Sequence, residues 1–187
     1  MKALVLLSGG VDSATCLGLA VEKYGAAEVS ALSVYYGQTH SKELAAAQKV
    51  ADFYGVALKR LDLSVIFQGS DCSLLADSPN AIPLQSYAEQ LSATGGKPVS
   101  TYVPFRNGLF LSAAASVALS HGCEVIYYGA HGDDAAGNAY PDCSERFNSA
   151  MGEAIYTGSG GQLKILAPFV SLNKAQVVKK GLELGVP

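Results

Sequence analysis

The feature that most constrains the fold of this chain is a glycine-containing loop at residues 8–13, Ser-Gly-Gly-Val-Asp-Ser. It follows a short apolar run at residues 3–7, and apolar side chains then recur at helical spacing over residues 13–24. A short apolar run bounded by glycine is typical of a buried strand, and the spacing after it predicts a helix. The sequence therefore begins with a strand, a tight loop and a helix.

The same alternation continues along the chain. Further strands are predicted at residues 29–35, 57–63, 124–128 and 163–166, and further helices at residues 41–54, 106–121, 144–157 and 173–184. Strands that alternate with helices indicate a parallel sheet covered on both faces. We expect one α/β domain over residues 1–187, with a doubly wound parallel sheet of about five strands.

Two segments interrupt the alternation. Residues 64–104 contain four prolines, and residues 129–143 are rich in glycine. Long irregular segments in compact domains are usually functional loops, lids or disordered segments. Ligands of parallel sheets bind beyond the carboxyl ends of the strands. We therefore expect four loops to gather at one edge of the sheet, those at Ser8, Tyr36, Asn107 and Gly129.

Net charge, the apolar run near the start and the cysteine spacing indicate which partners, location and metals to expect. The net charge is −3 and the basic residues are scattered, so we expect no nucleic-acid partner. The apolar run near the start is too short for a signal peptide or a membrane span, which predicts a cytoplasmic protein without membrane contact. No Cys-x-x-Cys pair is present, so we expect free thiols and no metal site at the four cysteines, Cys16, Cys72, Cys123 and Cys143.

The loop at residues 8–13 is predicted to bind phosphate groups. Its glycines let backbone N–H groups converge, and the following helix adds the positive end of its dipole. Ser8 and Ser13 add hydroxyl groups, whereas the carboxylate of Asp12 suits a phosphate site only if it holds Mg²⁺. The loop lacks both the Gly-Lys-Ser/Thr ending and the Gly-x-Gly-x-x-Gly pattern. An ordinary turn with Asp12 or Ser13 as the helix N-cap is the alternative.

This loop also resembles the signature of the PP-loop ATP pyrophosphatases, which cleave ATP to AMP and pyrophosphate while adenylating a carboxyl, amide or ring carbonyl oxygen. Three further segments narrow the choice: Tyr-Gly-Gln-Thr-His at residues 36–40, Val-Pro-Phe-Arg-Asn at residues 103–107 and Tyr-Pro-Asp-Cys at residues 140–143. The first and the last of these are much more specific than the phosphate loop. Together, and in this order along the whole chain, they resemble the 7-cyano-7-deazaguanine synthase family of queuosine biosynthesis.

The resemblance implies an activity. That family converts 7-carboxy-7-deazaguanine, ammonia and ATP into the nitrile through an adenylated intermediate, with release of AMP and pyrophosphate. It implies ATP and Mg²⁺ as cofactors and a homodimer as the assembly. No Cys-His glutaminase arrangement is visible in the sequence, so free ammonia is the expected nitrogen source.

The resemblance also implies residues that bind the nucleotide. Ser8, Gly9, Gly10 and Ser13 would hold the pyrophosphate, and Asp12 would organise Mg²⁺. The adenosine would approach the segment at residues 36–38. The full nucleotide set is Leu7, Ser8, Gly9, Gly10, Val11, Asp12, Ser13, Tyr36, Gly37 and Gln38.

Catalytic roles would fall to Asp12, Ser13, Arg106 and Lys174. Arg106 suits a phosphate or carboxylate clamp because arginine binds such groups bidentately, and Lys174 would reach the pyrophosphate. The deazapurine carboxylate would contact Arg106, Asn107, Gly129, Asp134, Tyr140 and Asp142. In that set the two carboxylates would accept hydrogen bonds from the ring N1–H and the exocyclic amine, and Gly129 would leave room for a flat ring.

Ordinary structural roles remain open for several of these residues. Arg106 and Lys174 could be exposed helix residues, and Asp142 could cap the helix that begins near Ser144. Cys143 could be a nucleophile, but an isolated cysteine is more often a small buried apolar residue. The two histidines near these segments, His40 and His131, are undecided between packing and ligand roles.

The sequence departs from the family pattern in three places. The family carries a four-cysteine zinc site beyond the last predicted helix, and its ligands are not among residues 1–187, so we expect that segment to be missing from the sequence. Residues 135–139 are an insertion of small residues, and Ser144 stands where many members have arginine.

Two other functions stay open: a PP-loop enzyme that adenylates a tRNA base or another small carboxylate, and a non-catalytic nucleotide-binding module.

Overall fold

The computed structural model describes residues 1–39, 42–85, 87–95, 98–135 and 139–187. Within them, five strands form one parallel sheet in the order β3-β2-β1-β4-β5. The strands are β1 (Ala3–Leu6), β2 (Val29–Tyr35), β3 (Ala57–Asp62), β4 (Val125–Tyr127) and β5 (Lys164–Leu166). The predicted parallel sheet is confirmed, and each strand lies within two residues of its predicted bounds.

The helices of the described residues are α1 (Val11–Tyr24), α2 (Lys42–Tyr54), α3 (Tyr87–Thr94), α4 (Arg106–Ser120), α5 (Gly132–Ala135), α6 (Glu145–Gly158) and α7 (Lys174–Glu183). The five helices predicted from apolar spacing are confirmed. Helices α3 and α5 lie inside the two segments that were expected to be irregular. The composition of α3 favours a helix locally, since Ala, Glu, Gln and Leu are strong helix formers.

Helices cover both faces of the sheet, as predicted for a doubly wound fold. Strand β1 is buried on both sides, which explains its continuous apolar run. On one face Ala3 and Val5 pack in a core that includes residues of α1, α2 and α7. On the other face Leu4 packs in a core that includes residues of α4 and α6.

A third apolar cluster ties the segment at residues 64–77 to the end of β2. Tyr36, Phe67, Cys72, Leu75 and Val103 are buried together there. Backbone hydrogen bonds reinforce the contact, from Ala76 N to Gly37 O at 2.8 Å and from Thr39 N to Leu74 O at 3.1 Å. This part of the irregular segment is therefore built onto the carboxyl edge of the sheet.

The strand order creates a switch point beside β1. From β1 the chain runs to β2 on one side, and β4 pairs with β1 on the other side. The loops that follow β1 and β4 therefore diverge and leave a crevice, which is where α/β sheets of this type bind ligands. In the described part of the chain, none of the helices has the length and apolar character needed to span a bilayer.

Candidate active site

A cleft of about 200 Å³ lies at this switch point. It brings together the loop after β1, the first turns of α4 and the end of β4, three segments that are distant in sequence. The lining residues are Leu6, Ser8, Asp12, Ser13, Arg106, Asn107, Phe110, Tyr128, Gly129, Ala130 and Cys143. Six of the predicted site residues, Ser8, Asp12, Ser13, Arg106, Asn107 and Gly129, therefore share one surface.

The loop at residues 8–13 is held by its own hydroxyl groups. Ser13 Oγ accepts a hydrogen bond from Ser8 N at 3.1 Å and donates to Gly10 O at 2.9 Å. Gly10 is the N-cap of α1 and provides no side-chain cap, so the alternative of Asp12 or Ser13 as N-cap is wrong. The first turn of α1 lines the cleft, where its N–H groups and dipole suit an anion.

Two glycines are required by packing around this loop. Gly9 has φ of 88°, and a β-carbon there would lie 2.5 Å from the backbone nitrogen of Ala47 on α2. A β-carbon at Gly129 would lie 3.0 Å from both the carbonyl carbon and the β-carbon of Asp12. The missing side chain at Gly129 therefore allows the close approach of Asp12, while Gly129 also lines the cleft. Its predicted role of leaving room for a flat ring stays a prediction.

Lys174 reaches the loop from the other end of the chain. It is the first residue of α7, after the N-cap Asn173, which forms a capping box with Gln176. Its Nζ donates to both carboxylate oxygens of Asp12, at 2.8 Å and 2.6 Å. His131 Nε2 lies 3.8 Å from Asp12 Oδ2. Lys174 is exposed, which agrees with the alternative of an ordinary surface lysine on a helix. Its ammonium group nevertheless contacts the predicted phosphate loop.

The geometry fits one mode of Mg²⁺ binding. Among the described residues no group of three or more His, Cys, Asp or Glu side chains could hold a metal ion. Mg²⁺ is usually held by one or two carboxylates, with waters and substrate phosphates as its other ligands. Asp12, with waters and phosphate oxygens as the further ligands, is compatible with that arrangement.

Arg106 is held in place by Tyr36. Its Nη1 donates to the Tyr36 hydroxyl at 3.0 Å, and its guanidinium carbon lies 5.3 Å from the centre of the Tyr36 ring. Burial acts to lower the pKa of Arg106, but Tyr36 and Asp142 outweigh it and the pKa is raised. The preceding Phe105 adopts a left-handed φ of 53°, an uncommon conformation for a bulky residue. Arg106 is therefore an oriented, permanent cation on the cleft wall.

Asp142 lies behind this wall. It is 3% exposed, and its Oδ2 accepts a hydrogen bond from Asn107 N at 2.8 Å. Asn107 Nδ2 returns hydrogen bonds to Asp142 O at 3.1 Å and to Cys143 Sγ at 3.2 Å. Asp142 therefore supports the start of α4. The helix near Ser144 is capped by Ser144 itself, whose Oγ accepts from Phe147 N at 3.1 Å, so the alternative for Asp142 named the wrong helix.

Several other predicted residues do not line the cleft. Tyr140 is buried, with its hydroxyl 2.6 Å from Thr101 Oγ1. Gln38 is buried and its Oε1 accepts from Tyr36 N at 2.9 Å. Tyr36 and Gly37 line a separate pocket of about 160 Å³ beneath the segment at residues 64–77. The side chain of Asp134, and His40 as a whole, lie outside the part that the structure describes.

Four lining residues were missed from the sequence: Leu6, Phe110, Tyr128 and Ala130. Phe110 lies four residues after Arg106, and this spacing places both on one helix face. Tyr128 follows β4 directly, at the edge where ligands bind. Its hydroxyl donates to Asn148 Oδ1 at 3.1 Å, and burial raises the pKa of the phenol. Helical spacing and the strand end mark both positions as candidates, although such positions occur in protein cores as well as in clefts.

The four cysteines are free, as predicted, and all four are buried. Cys16 packs in the first core, Cys123 and Cys143 in the second, and Cys72 in the third cluster. Burial raises the pKa of the Cys16, Cys72 and Cys123 thiols. The four thiols are therefore spread over three clusters and do not form one four-cysteine site.

Comparison with solved structures defines the class of the fold. The chain superposes on the structure of NMN synthetase from Francisella tularensis with a TM-score of 0.56 at 16% identity, covering 100% of this chain and 62% of that one. It superposes on the U34-tRNA thiolase NcsA from Methanococcus maripaludis, described with its [4Fe-4S] cluster, with a TM-score of 0.61 at 18% identity. That match covers 100% of this chain and 58% of the thiolase. The fold is of the adenine-nucleotide α-hydrolase-like, PP-loop type.

Sequence comparison defines the family. Residues 2–187 match the family described as "Queuosine biosynthesis protein QueC". The chain is 38% identical to the 7-cyano-7-deazaguanine synthase of Archaeoglobus fulgidus, covering 100% of this chain and 74% of that protein. It is 41% identical to the 7-cyano-7-deazaguanine synthase of a Nitratiruptor species, covering 100% and 81%. The chain therefore belongs to the QueC family.

Proposed function

We propose that this chain is an ATP-dependent C–N ligase that converts 7-carboxy-7-deazaguanine and ammonia into 7-cyano-7-deazaguanine. Membership of the QueC family and the names of its relatives support the reaction. The structural observation that carries the proposal is one cleft bounded by the first turn of α1 and by Arg106, with Lys174 reaching the same loop. A helix N-terminus and two cations suit a substrate pair that is rich in phosphate and carboxylate oxygens.

The chemistry explains why ATP is consumed at its α–β bond. A carboxylate resists attack by ammonia because its leaving group would be oxide. Its oxygen therefore attacks the α-phosphorus, the α–β bond breaks and pyrophosphate leaves. Ammonia attacks the activated carbon and AMP departs with the carboxylate oxygen, leaving an amide. A second ATP activates the amide oxygen, and loss of AMP and protons gives the nitrile. Positioning and electrostatic stabilisation then carry the rate.

In the proposal the loop after β1 binds the phosphate chain. Ser8, Gly10 and Ser13 present hydroxyl and backbone N–H groups, while Asp12 provides a carboxylate for Mg²⁺. When the nucleotide binds, the Lys174 ammonium group leaves Asp12 and contacts the pyrophosphate. Breaking the ion pair with Asp12 costs little free energy, because an exposed ion pair contributes only about 0–1 kcal/mol. Leu7, Gly9 and Val11 complete the loop by packing, and residues 36–38 adjoin the adenosine.

The wall formed by α4 and β4 binds the acceptor. Arg106 contacts the carboxylate or the α-phosphate, and Asn107 and Gly129 flank the ring. Phe110 and Tyr128 add apolar surface suited to a flat heterocycle. Asp142 and Tyr140 act from behind by holding the wall, and Asp134 remains the proposed acceptor for the ring N–H donors.

We further propose that residues 1–187 act as a single nucleotide-binding domain, in the cytoplasm and within a homodimer. The negative net charge supports a small-molecule acceptor over a nucleic acid. Sedimentation or light scattering measures the assembly, and a monomeric mass at assay concentration contradicts the dimer.

The reaction is tested by incubating the protein with ATP, Mg²⁺, ammonium and 7-carboxy-7-deazaguanine. The proposal predicts nitrile and AMP, with two AMP formed per nitrile, and no product when glutamine replaces ammonium. ADP formed without AMP contradicts the pyrophosphatase reaction. Turnover on tRNA in place of the deazapurine supports a PP-loop enzyme that adenylates a tRNA base. Saturable ATP binding without turnover on any acceptor supports a non-catalytic nucleotide-binding module.

A further inference from the structure

Asp133, which is not among the predicted site residues, contacts the helix that carries Lys174. It lies on α5 with an exposed side chain. Its Oδ2 accepts a hydrogen bond from the backbone N–H of Lys174 at 2.8 Å. That N–H belongs to the first residue of α7, so it has no acceptor within the helix. The N-cap Asn173 already accepts from Gln176 N, and Asp133 therefore satisfies a second N-terminal donor from outside the helix.

Two neighbouring contacts hold Asp133 in register with α7. His131 pairs with Phe169 as a parallel bridge, and Gly132 N donates to Leu172 O at 2.9 Å. The approach at Gly132 is close, since a β-carbon there would lie 3.3 Å from Leu172 O. The segment at residues 131–133 therefore runs beside the chain that leads into α7. The hydrogen bond between the Asp133 carboxylate and Lys174 N is the last contact along this segment.

The opposite end of the same segment rests on the phosphate loop. Gly129 packs against Asp12, and Lys174 Nζ returns to the carboxylate of Asp12. Residues 129–133 thus connect the two ends of the Asp12–Lys174 ion pair. A shift at Asp133 would move the backbone from which the Lys174 side chain extends toward the cleft.

We propose that Asp133 is a positioning residue that sets the first turn of α7 so that Lys174 meets the phosphate chain of ATP. The proposal rests on the proposed ATP-dependent function. Asp133 acts through its hydrogen bond to the backbone N–H of Lys174. It makes no contact with phosphate or metal in this role.

The test is a double-mutant cycle on ATP affinity, measured by calorimetry with Mg²⁺ and the non-cleavable α,β-methylene analogue of ATP. Loss of one hydrogen bond predicts that Asp133→Ala weakens binding roughly fivefold. Asp133→Asn keeps an oxygen acceptor and retains near wild-type affinity. In a Lys174→Ala background, Asp133→Ala has no further effect, because its influence passes through the missing side chain.

Hydrogen exchange provides a readout without nucleotide. The Lys174 amide should exchange faster in Asp133→Ala, while Asp133→Asn stays close to wild type. Glu183→Gln is the matched control, since it removes an exposed carboxylate at the far end of α7 and should change neither readout.

Other outcomes contradict either the positioning role of Asp133 or the proposed ATP-dependent function. If Asp133→Asn binds the analogue as weakly as Asp133→Ala, or if the effect persists without Lys174, Asp133 contacts Mg²⁺ or phosphate directly and the positioning role is wrong. Unchanged exchange at Lys174 in Asp133→Ala also contradicts it. Failure of the wild-type protein to bind the analogue contradicts the proposed ATP-dependent function. A wild-type protein that binds the analogue while the variants depart from the expected pattern contradicts the role of Asp133 alone.

Discussion

The two halves of the cleft are built in different ways. The loop half, residues 8–13 with Lys174, is stabilised by hydrogen bonds within one short loop and by an ion pair whose lysine side chain is 47% exposed. The acceptor half, Arg106 and Asn107 with their supports Tyr36 and Asp142, joins three distant segments through part-buried hydrogen bonds, and the Asp142 side chain is itself buried.

This difference separates an adjustable site from a preorganised one. Exposed ion pairs contribute little to stability, so Lys174 is able to change partners when a ligand arrives. Breaking a buried hydrogen bond leaves an unsatisfied polar group, which is costly, so the acceptor half keeps its geometry. We infer that the acceptor half selects the substrate by a fixed shape, whereas the loop half reorganises around the phosphates.

The largest expected effect is at Arg106. Arg106→Ala removes the oriented cation of the acceptor half and should lower kcat/KM by about 10²–10³-fold, as loss of a transition-state donor does. Steady-state formation of nitrile and AMP measures it. Arg146→Ala on α6 is the control, because Arg146 is exposed and should leave kcat/KM unchanged. A loss below about threefold at Arg106 would remove it from the site.

The next prediction compares how much each half of the cleft contributes to the free energy of unfolding. Asp142→Ala leaves the Asn107 N–H without its partner and should lower the free energy of unfolding by about 1–3 kcal/mol. Asp12→Ala in the loop half should change it by less than about 1 kcal/mol. Urea unfolding followed by circular dichroism measures both. Equal losses for the two variants would contradict the contrast between a buried and an exposed half.

Lys174→Ala should weaken ATP binding about ten- to hundredfold while leaving the affinity for the deazapurine carboxylate unchanged, because charge-assisted contacts contribute about 1.5–3 kcal/mol. Calorimetry with each ligand alone measures the two affinities. Lys179→Ala removes an exposed lysine from the same helix and serves as the control. If both ligands bind equally less well, Lys174 acts on the whole cleft.

The smallest expected effect is at Tyr36. Tyr36→Phe keeps the ring beside Arg106 but loses the hydroxyl acceptor, so kcat/KM should fall about three- to tenfold. Burial raises the pKa of Tyr36 while Arg106 opposes the shift, so the phenol stays neutral below pH 10. The pH profiles of wild type and Tyr36→Phe should therefore have the same shape between pH 6 and about pH 9. A wild-type activity limb in that range that Tyr36→Phe abolishes would contradict this role.

The loop half was accessible from the sequence because its residues are contiguous. Strand, glycines and helix follow one another within residues 3–24, and local periodicity reports each of them. Lys174, which lies 162 positions from Asp12, was reached only through family resemblance. No local pattern links two residues at that separation.

The acceptor half was predicted less completely for a physical reason. The sequence marks Asp142 as a carboxylate near the site, but its orientation toward Asn107 depends on how α4 packs against residues 140–143. Phe110 and Tyr128 were missed because an apolar side chain near a strand end or helix start suits either core or cleft. Helix α3 was missed because surrounding prolines and glycines outweighed its own helix-forming residues.

The most direct test of the account follows the carboxylate oxygens. The protein is supplied with ATP, Mg²⁺, ammonium and 7-carboxy-7-deazaguanine carrying ¹⁸O in both carboxylate positions, and the AMP is analysed by mass spectrometry. The account predicts that each AMP carries one ¹⁸O, with two labelled AMP molecules per nitrile. Label in inorganic phosphate together with ADP, or unlabelled AMP, would contradict adenylation of the acceptor.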